Sequence, residues 1–141
     1  MQLAPNTVRK YVQLLEALFV VFWITPHSRN IAHSLLRKPK LYFFDTAMVR
    51  GDDGARLEHL VALSLYKHVL GRRDVRGEDA SLHYLRTKDG LEVDFCLVRD
   101  HEPEVMIEVK NADSSNHRPL HTFHRKTGIP GLQLVRHLRQ E

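Results

Sequence analysis

The chain of 141 residues has a single cysteine, Cys96, and no long apolar run. One cysteine excludes a disulfide framework within the chain and favours a reducing, cytoplasmic setting. The longest apolar run, residues 17–24, has eight residues, whereas a helix that spans a bilayer needs about 20. The start of the chain does not resemble a secretory signal peptide. The sequence therefore predicts no membrane partner.

A phosphate-binding loop of the Gly-x-x-x-x-Gly-Lys-Ser/Thr type is also missing, because none of the seven glycines has Gly-Lys at the right distance. The chain is therefore not itself an ATPase of that class. It has no internal repeat or low-complexity tract, and 43% apolar residues suffice for one compact domain or two small ones. Lysine and arginine exceed the acidic residues by four, and the pI of about 9.4 is compatible with a polyanionic partner.

Two stretches of alternating apolar and polar residues, 91–97 and 105–110, carry the strongest chemical signal. Such alternation predicts half-buried strands, and the polar residues 98–104 between them favour an antiparallel hairpin. Residues paired across a hairpin lie on the same face of the sheet. A register that puts Leu97 opposite Val105 keeps the apolar side chains of both strands together.

That register places Asp94 directly opposite Glu108, and Glu92 opposite Lys110. Like charges that face each other are destabilising, and a Mg²⁺ or Mn²⁺ ion held by the two carboxylates would compensate them. Lys110, on the same face, would then orient or deprotonate a water molecule. The alternative is an ion pair between Glu92 and Lys110, with the other two carboxylates in solvent.

The N-terminal part of the chain predicts a helix capped by Asn6-Thr7, followed by strands at residues 19–24 and 39–44. A helix followed by a hairpin with basic residues between its strands is typical of the last part of a winged-helix domain. Solvated basic residues without DNA contact are an equal alternative.

A turn cluster, residues 51–54, predicts a boundary between two segments. After it, the apolar spacing indicates a buried helix over residues 56–70, which Gly71 would end. Glu58 lies near the start of this helix. Either the helix dipole stabilises its charge, or Glu58 is a third acidic group of the hairpin site.

Basic residues are concentrated between this helix and the hairpin, and we predict that they contact nucleic acid. Basic groups around a carboxylate cluster suit a phosphodiester substrate. The predicted contact residues are Arg72, Arg73, Arg76, Arg86 and Lys88. Beyond the hairpin, the sequence predicts a helix from Pro119 to Gly128 and a last strand at residues 131–136.

Four short motifs, in this order and spacing, resemble a known family. They are Lys40-Leu-Tyr-Phe-Phe-Asp-Thr46, Leu57-Glu-His-Leu-Val61, Glu92-Val-Asp-Phe95 and Ile107-Glu-Val-Lys110. The family is the C-terminal domain of unknown function that follows the motor module in many prokaryotic AAA-type ATPases. That domain is similar to the restriction-endonuclease-like PD-(D/E)XK superfamily, whose signature is an Asp on one strand and Glu-x-Lys on the next.

The resemblance implies an α/β (α+β) fold with a small mixed sheet flanked by helices. Residues 1–50 would be a partial winged-helix-like segment, and residues 51–141 a PD-(D/E)XK nuclease-like domain. The resemblance also implies that an ATPase module lies upstream in the same polypeptide, and that this chain is an excised C-terminal region.

The superfamily pattern makes Asp94 and Glu108 metal ligands, with the carbonyl of Val109 as a third. Lys110 would position the attacking water, and Glu58 matches the helix acid that sometimes completes the site. The ion, Mg²⁺ or Mn²⁺, would activate water for in-line attack on a phosphodiester.

Two functions therefore stay open on the sequence. The first is a metal-dependent DNA nuclease domain coupled to an ATPase. The second is a catalytically silent module that binds DNA, protein or the parent ATPase. A weaker third hypothesis is an antitoxin-like or dimerisation domain that forms oligomers through an exposed aromatic stretch, residues 19–23.

Overall fold

A computed structural model describes residues 4–28, 38–112 and 118–137, and within these ranges the fold is mixed α+β, as predicted. In chain order the elements are helix α1 (Pro5–Ala17), strands β1 (Val21–Ile24) and β2 (Lys40–Phe43), a 3₁₀ turn (Thr46–Met48), helix α2 (Asp53–Arg76), strands β3 (Ala80–Arg86), β4 (Glu92–Arg99) and β5 (Glu102–Ala112), helix α3 (Arg118–Thr127) and strand β6 (Gly131–His137). None of the described helices combines the length and the apolar composition that crossing a bilayer requires.

The strands form two sheets, and the segment after β1 connects the smaller sheet to edge strand β3 of the larger sheet. Strands β1 and β2 make an antiparallel hairpin. The larger sheet has the order β3-β4-β5-β6, antiparallel except for the parallel pair β5 and β6. After β1 the chain runs beside β3, where the N–H of His27 donates to the carbonyl of Tyr84 at 2.8 Å and the N–H of Tyr84 donates to the carbonyl of Thr25 at 3.3 Å. These bonds hold the hairpin against the larger sheet.

The main core lies between helix α2, the small hairpin and one face of the larger sheet. Phe22 is its centre, because its ring stacks on Tyr42 and Tyr66 at centroid distances of 5.5 and 4.3 Å. Phe22 is only 1% exposed. The hypothesis of an exposed aromatic interface at residues 19–23 is therefore wrong for the middle of that stretch, although Phe19 itself is exposed.

The larger sheet is buried on both faces, which its alternating sequence did not predict. Neighbouring residues on a strand point to opposite faces, yet Phe95 and Cys96 are both fully buried. Helix α3 provides the second cover, because Leu120 and Phe123 pack on a separate core that includes Cys96 and Met106. The expectation of half-buried strands is thus corrected at the centre of the sheet.

The predicted register of the β4–β5 hairpin is confirmed at its centre. Phe95 pairs with Ile107, and Leu97 pairs with Val105. The turn is tighter than the polar connection suggested, since only residues 100 and 101 separate the strands. Both have positive φ angles, 49° and 66°, which is typical of a two-residue type I′ turn.

The ends of the first two helices differ from the prediction. Helix α1 has Ala4 as its N-cap and Pro5 as its first residue, so Asn6-Thr7 lies inside the first turn and does not cap it. Proline is favoured at that position because its missing N–H needs no partner there. Helix α2 continues through Gly71 and ends at Arg76, with Gly77 as its C-cap at a φ of 66°.

Candidate functional site

Asp94 and Glu108 are held together by hydrogen bonds from backbone amides. The N–H of Val109 donates to Oδ2 of Asp94 at 3.0 Å, and the N–H of Asp94 donates to Oε2 of Glu108 at 3.3 Å. Each carboxylate is therefore anchored by an amide of the opposite strand. Asp94 and Glu108 lie next to the paired residues Phe95 and Ile107, and their side chains bridge strands β4 and β5. They form the acidic pair that the register predicted.

The second oxygen of each carboxylate faces a lysine. Oδ1 of Asp94 lies 3.7 Å from Nζ of Lys40, and Oε1 of Glu108 lies 2.9 Å from Nζ of Lys110. The Glu108 side chain is only 5% exposed, and a buried charge needs a charged or hydrogen-bonding partner. The structure therefore brings together the three predicted catalytic residues, Asp94, Glu108 and Lys110.

Lys40 lies among three carboxylates from helix α2 and strand β4. Its Nζ is 2.7 Å from Oε1 of Glu92, 3.6 Å from Oε1 of Glu58 and 3.7 Å from Oδ1 of Asp94. Burial alone would lower the pKa of Lys40, but the hydrogen bond to Glu92 and the charges of Glu58 and Asp94 outweigh burial and raise that pKa. The lysine is therefore a fixed positive charge inside the acidic cluster.

The sequence predicted a strand at residues 39–44 but did not predict that Lys40 lies beside the carboxylates. The available signal was alternation in strand β2, which puts Lys40 and Tyr42 on the same face. The ion-pair partners of Glu92 also differ from the alternative prediction, which paired Glu92 with Lys110. It contacts Lys40, and its Oε2 lies 3.7 Å from a guanidinium nitrogen of Arg86.

Glu58 reaches the cluster from the second turn of helix α2, which begins at Asp53. The hydroxyl of Tyr42 donates a hydrogen bond to Oε1 of Glu58 at 2.9 Å. Burial and the neighbouring Glu58 charge raise the pKa of Tyr42 well above its ordinary value. The hydroxyl therefore stays protonated and remains a donor.

A basic cavity of about 290 Å³ borders the acidic cluster. It is lined by Lys38, Tyr84, Arg86, Thr87 and Lys88. Arg86 links the cavity to the cluster through Glu92, and Nζ of Lys40 lies 5.3 Å from the centre of the Tyr84 ring. Of the predicted nucleic-acid contacts, Arg86 therefore lies beside a carboxylate of the cluster, and Lys88 lines the same cavity.

The other three predicted contacts lie at the far end of helix α2. Arg72 is fourteen positions after Glu58, which is about 21 Å along a helix. Arg72 is 9% exposed, and its guanidinium donates to the carboxylates of Glu78 and Glu104, which raise its pKa. Arg73 and Arg76 are more exposed on the same part of the helix. The structure therefore divides the predicted basic neighbourhood into two separate groups.

Two family models match the chain. Residues 53–139 match a domain of unknown function, DUF4143, and residues 1–53 match a second one, DUF8612. The chain belongs to the DUF4143 family. No curated protein matches the chain, and no solved structure matches it either. The sequence resemblance to a domain of unknown function is confirmed at this level.

The acidic cluster combines side chains from both matched regions. The DUF4143 region contributes Glu58, Glu92, Asp94, Glu108 and Lys110, whereas Lys40 and Tyr42 come from the DUF8612 region. The β1–β2 hairpin of the DUF8612 region therefore lines the site whose carboxylates belong to the DUF4143 region.

The donor set suits a hard divalent cation, because carboxylate and carbonyl oxygens are the ligands that Mg²⁺ and Mn²⁺ prefer. Asp94 and Glu108 would hold such an ion. The carbonyl of Val109, whose N–H donates to Asp94, would be the third donor that the resemblance implies. Among the described residues, no group of three or more His, Cys, Asp or Glu side chains is arranged to hold a metal ion. A divalent ion at this site would therefore depend on the two carboxylates of Asp94 and Glu108 and on the backbone carbonyl of Val109.

Proposed function

We propose that the DUF4143 region is a nuclease-like module of the PD-(D/E)XK type that binds Mg²⁺ or Mn²⁺ and hydrolyses phosphodiesters in DNA. The observation that carries this proposal is the convergence of Asp94, Glu108 and Lys110. The two carboxylates are bridged by amides of opposite strands, and the lysine lies 2.9 Å from Glu108. That constellation is what an Asp and a Glu-x-Lys on adjacent strands can form.

Each of the three side chains has a distinct role in the proposed reaction. A bound divalent ion would supply Lewis-acid activation and a more acidic water molecule. Asp94 and Glu108 hold the ion in place, and their backbone hydrogen bonds fix their orientation. Lys110 donates from its ammonium group, so it positions the attacking water and stabilises negative charge on the phosphate.

The basic cavity supports a phosphodiester as the substrate. Lys38, Arg86 and Lys88 line it, and lysine and arginine bind DNA mainly through phosphate oxygens without reading the base sequence. Binding of this kind releases counterions, so affinity for DNA should fall steeply with salt. The net charge of +4 has the sign that such a partner needs.

The resemblance of the four motifs supports a role beside an ATPase. In this proposal an AAA-type motor lies upstream in the same polypeptide, and the DUF8612 region is the winged-helix-like segment that connects the two. The complete protein would act on DNA in the cytoplasm, with oligomers formed through the motor module.

A second candidate is a catalytically silent module, and the position of Lys40 favours it. Lys40 and Lys110 together compensate the acidic cluster without a metal ion. The cluster would then serve the fold, and the module would bind DNA, protein or the parent ATPase.

Calorimetric titration with Mn²⁺ and Mg²⁺ separates the two candidates. The wild type should bind one divalent ion, and Asp94→Asn should lose that binding while its circular dichroism spectrum stays unchanged. Asp74→Asn, at an exposed position of helix α2, is the matched control and should bind as the wild type does. The titration is repeated with a DNA duplex present, because Mg²⁺ often takes part of its shell from phosphate.

A cleavage assay on single-stranded and duplex DNA completes the test. Lys110→Met should abolish cleavage while metal binding persists, because the lysine acts on water and not on the ion. Wild-type protein that neither binds a divalent ion nor cuts DNA under both conditions would exclude the nuclease and favour the silent module.

A further inference from the structure

We propose that Lys40 is an internal counter-ion that competes with a divalent cation for the carboxylate cluster, so that the β1–β2 hairpin controls metal binding. This inference rests on the proposed metal site and adds its regulation. It assigns a function to a residue that lies outside the DUF4143 region.

The competition would take place at one oxygen of Asp94. Oδ2 of Asp94 accepts the N–H of Val109, whereas Oδ1 is the oxygen of this carboxylate that faces Lys40. That same atom lies 3.7 Å from Nζ of Lys40. An ion bound about 2.1 Å from Oδ1 would lie close to the ammonium group, and two positive charges at such a distance repel.

Lys40 is well placed to stay in the cluster when no ion is bound. Its side chain is 23% exposed and it contacts Glu92 at 2.7 Å, with the ring of Tyr84 beneath its ammonium group at 5.3 Å. Three carboxylates lie within 4 Å of its ammonium group. The ammonium group is therefore held by several partners, which makes it an effective competitor.

The hairpin sets the position of Lys40 through contacts with the larger sheet. Lys40 pairs with Ile24 across the hairpin. The hairpin is attached to β3 by the backbone bonds of Tyr84 and by its hydroxyl, which donates to the carbonyl of Lys38 at 2.8 Å. A movement of the hairpin away from β3 would withdraw Lys40 from the carboxylates. The affinity for the divalent ion would then increase when the hairpin of the DUF8612 region moves away from β3.

The test compares the Mn²⁺ affinity of Lys40→Gln with that of Lys67→Gln in the complete chain. Both variants lose one positive charge, but Lys67 is exposed on helix α2. We expect Lys40→Gln to bind Mn²⁺ about ten-fold more tightly than the wild type, which corresponds to about 1.4 kcal/mol. In the presence of a chelator, the melting temperature of Lys40→Gln should be lower than that of the wild type. Added Mn²⁺ should raise it again, because a ligand that binds the native state stabilises that state. Lys67→Gln should match the wild type in affinity.

A second measurement uses the unaltered protein and needs no stable variant. Acylation of lysine amines, followed by mass spectrometry, reports the accessibility of each ammonium group. Saturating Mn²⁺ should increase the acylation rate of Lys40 several-fold and leave that of Lys67 unchanged.

Three outcomes would overturn the inference. Equal or weaker Mn²⁺ binding by folded Lys40→Gln would refute the competition and leave the metal site intact. Unchanged acylation of Lys40 while Mn²⁺ is bound would do the same. Absence of Mn²⁺ binding in every protein, with and without DNA, would remove the proposed metal site and the inference together.

Discussion

The hydroxyl of Tyr42 donates a hydrogen bond to Oε1 of Glu58 at 2.9 Å, and this bond joins the two matched regions of the chain. Tyr42 lies in the small hairpin and Glu58 in helix α2. The same Glu58 oxygen also faces Lys40 at 3.6 Å. One carboxylate on the helix therefore holds two side chains of the hairpin beside the acidic cluster.

Tyr42→Phe should lower the free energy of unfolding by about 1 kcal/mol, because it removes one hydrogen bond and keeps the stacked ring. Urea unfolding followed by circular dichroism measures this change. Tyr11→Phe, at an exposed position of helix α1, is the matched control and should change stability by less than about 0.5 kcal/mol. An equal effect of the two substitutions would show that the bond to Glu58 does not stabilise the fold.

Arg72→Met should destabilise the fold by about 1.5–3 kcal/mol, because it removes charged hydrogen bonds to two carboxylates. Glu104 keeps Arg99 at 3.1 Å and Glu78 keeps Arg76 at 3.8 Å, so neither carboxylate loses every cation. Arg73→Met is the control, since Arg73 is the exposed neighbour on the same helix. Chemical denaturation of both variants tests the prediction, which fails if Arg72→Met is as stable as Arg73→Met.

The same ion pair predicts a pH dependence of stability. The hydrogen bond from Arg72 holds the pKa of Glu104 below its ordinary value of 4.5. The pair therefore adds stability above that ordinary value, and this stability is lost as the pH falls through the lower pKa of the folded state. Wild-type protein should lose more stability than Arg72→Met on acidification below about pH 4.5. Parallel losses in denaturant titrations across that range would contradict the assignment.

The sequence predicted those features that depend on neighbours along the chain. Alternation between residues 91 and 110 predicted the hairpin register, because shifting a strand by one residue would move its apolar side chains to the opposite face of the sheet. The same register correctly brought Asp94 and Glu108 together. Periodic apolar residues likewise predicted helix α2, whereas Pro119 and Gly128 predicted helix α3. The ends of helix α2 depend on contacts that periodicity does not report.

The features that the sequence did not reveal depend on contacts between distant residues. Lys40 meets carboxylates at positions 58, 92 and 94. Alternation in strand β2 indicates the face on which Lys40 lies, but it does not indicate these distant partners. Arg72 looked like a solvent-exposed basic residue, whereas its partner Glu104 lies 32 positions further along the chain. The burial of Cys96 depends on helix α3, which folds over the second face of the sheet.

Two glycines on helix α2 provide a direct test of where that helix ends. Gly71 resembled a terminating glycine, but it lies inside the helix, and a Cβ added there would meet no atom within 4 Å. Gly71→Ala should therefore stabilise the fold by about 0.5–1 kcal/mol, because alanine favours helix interiors over glycine. Gly77, with its φ of 66°, has the left-handed conformation that costs other residues about 1 kcal/mol or more. Gly77→Ala should accordingly destabilise the fold. Urea denaturation of both variants measures the two signs, and the opposite result, with Gly71→Ala destabilising and Gly77→Ala neutral, would mean that the helix ends at Gly71.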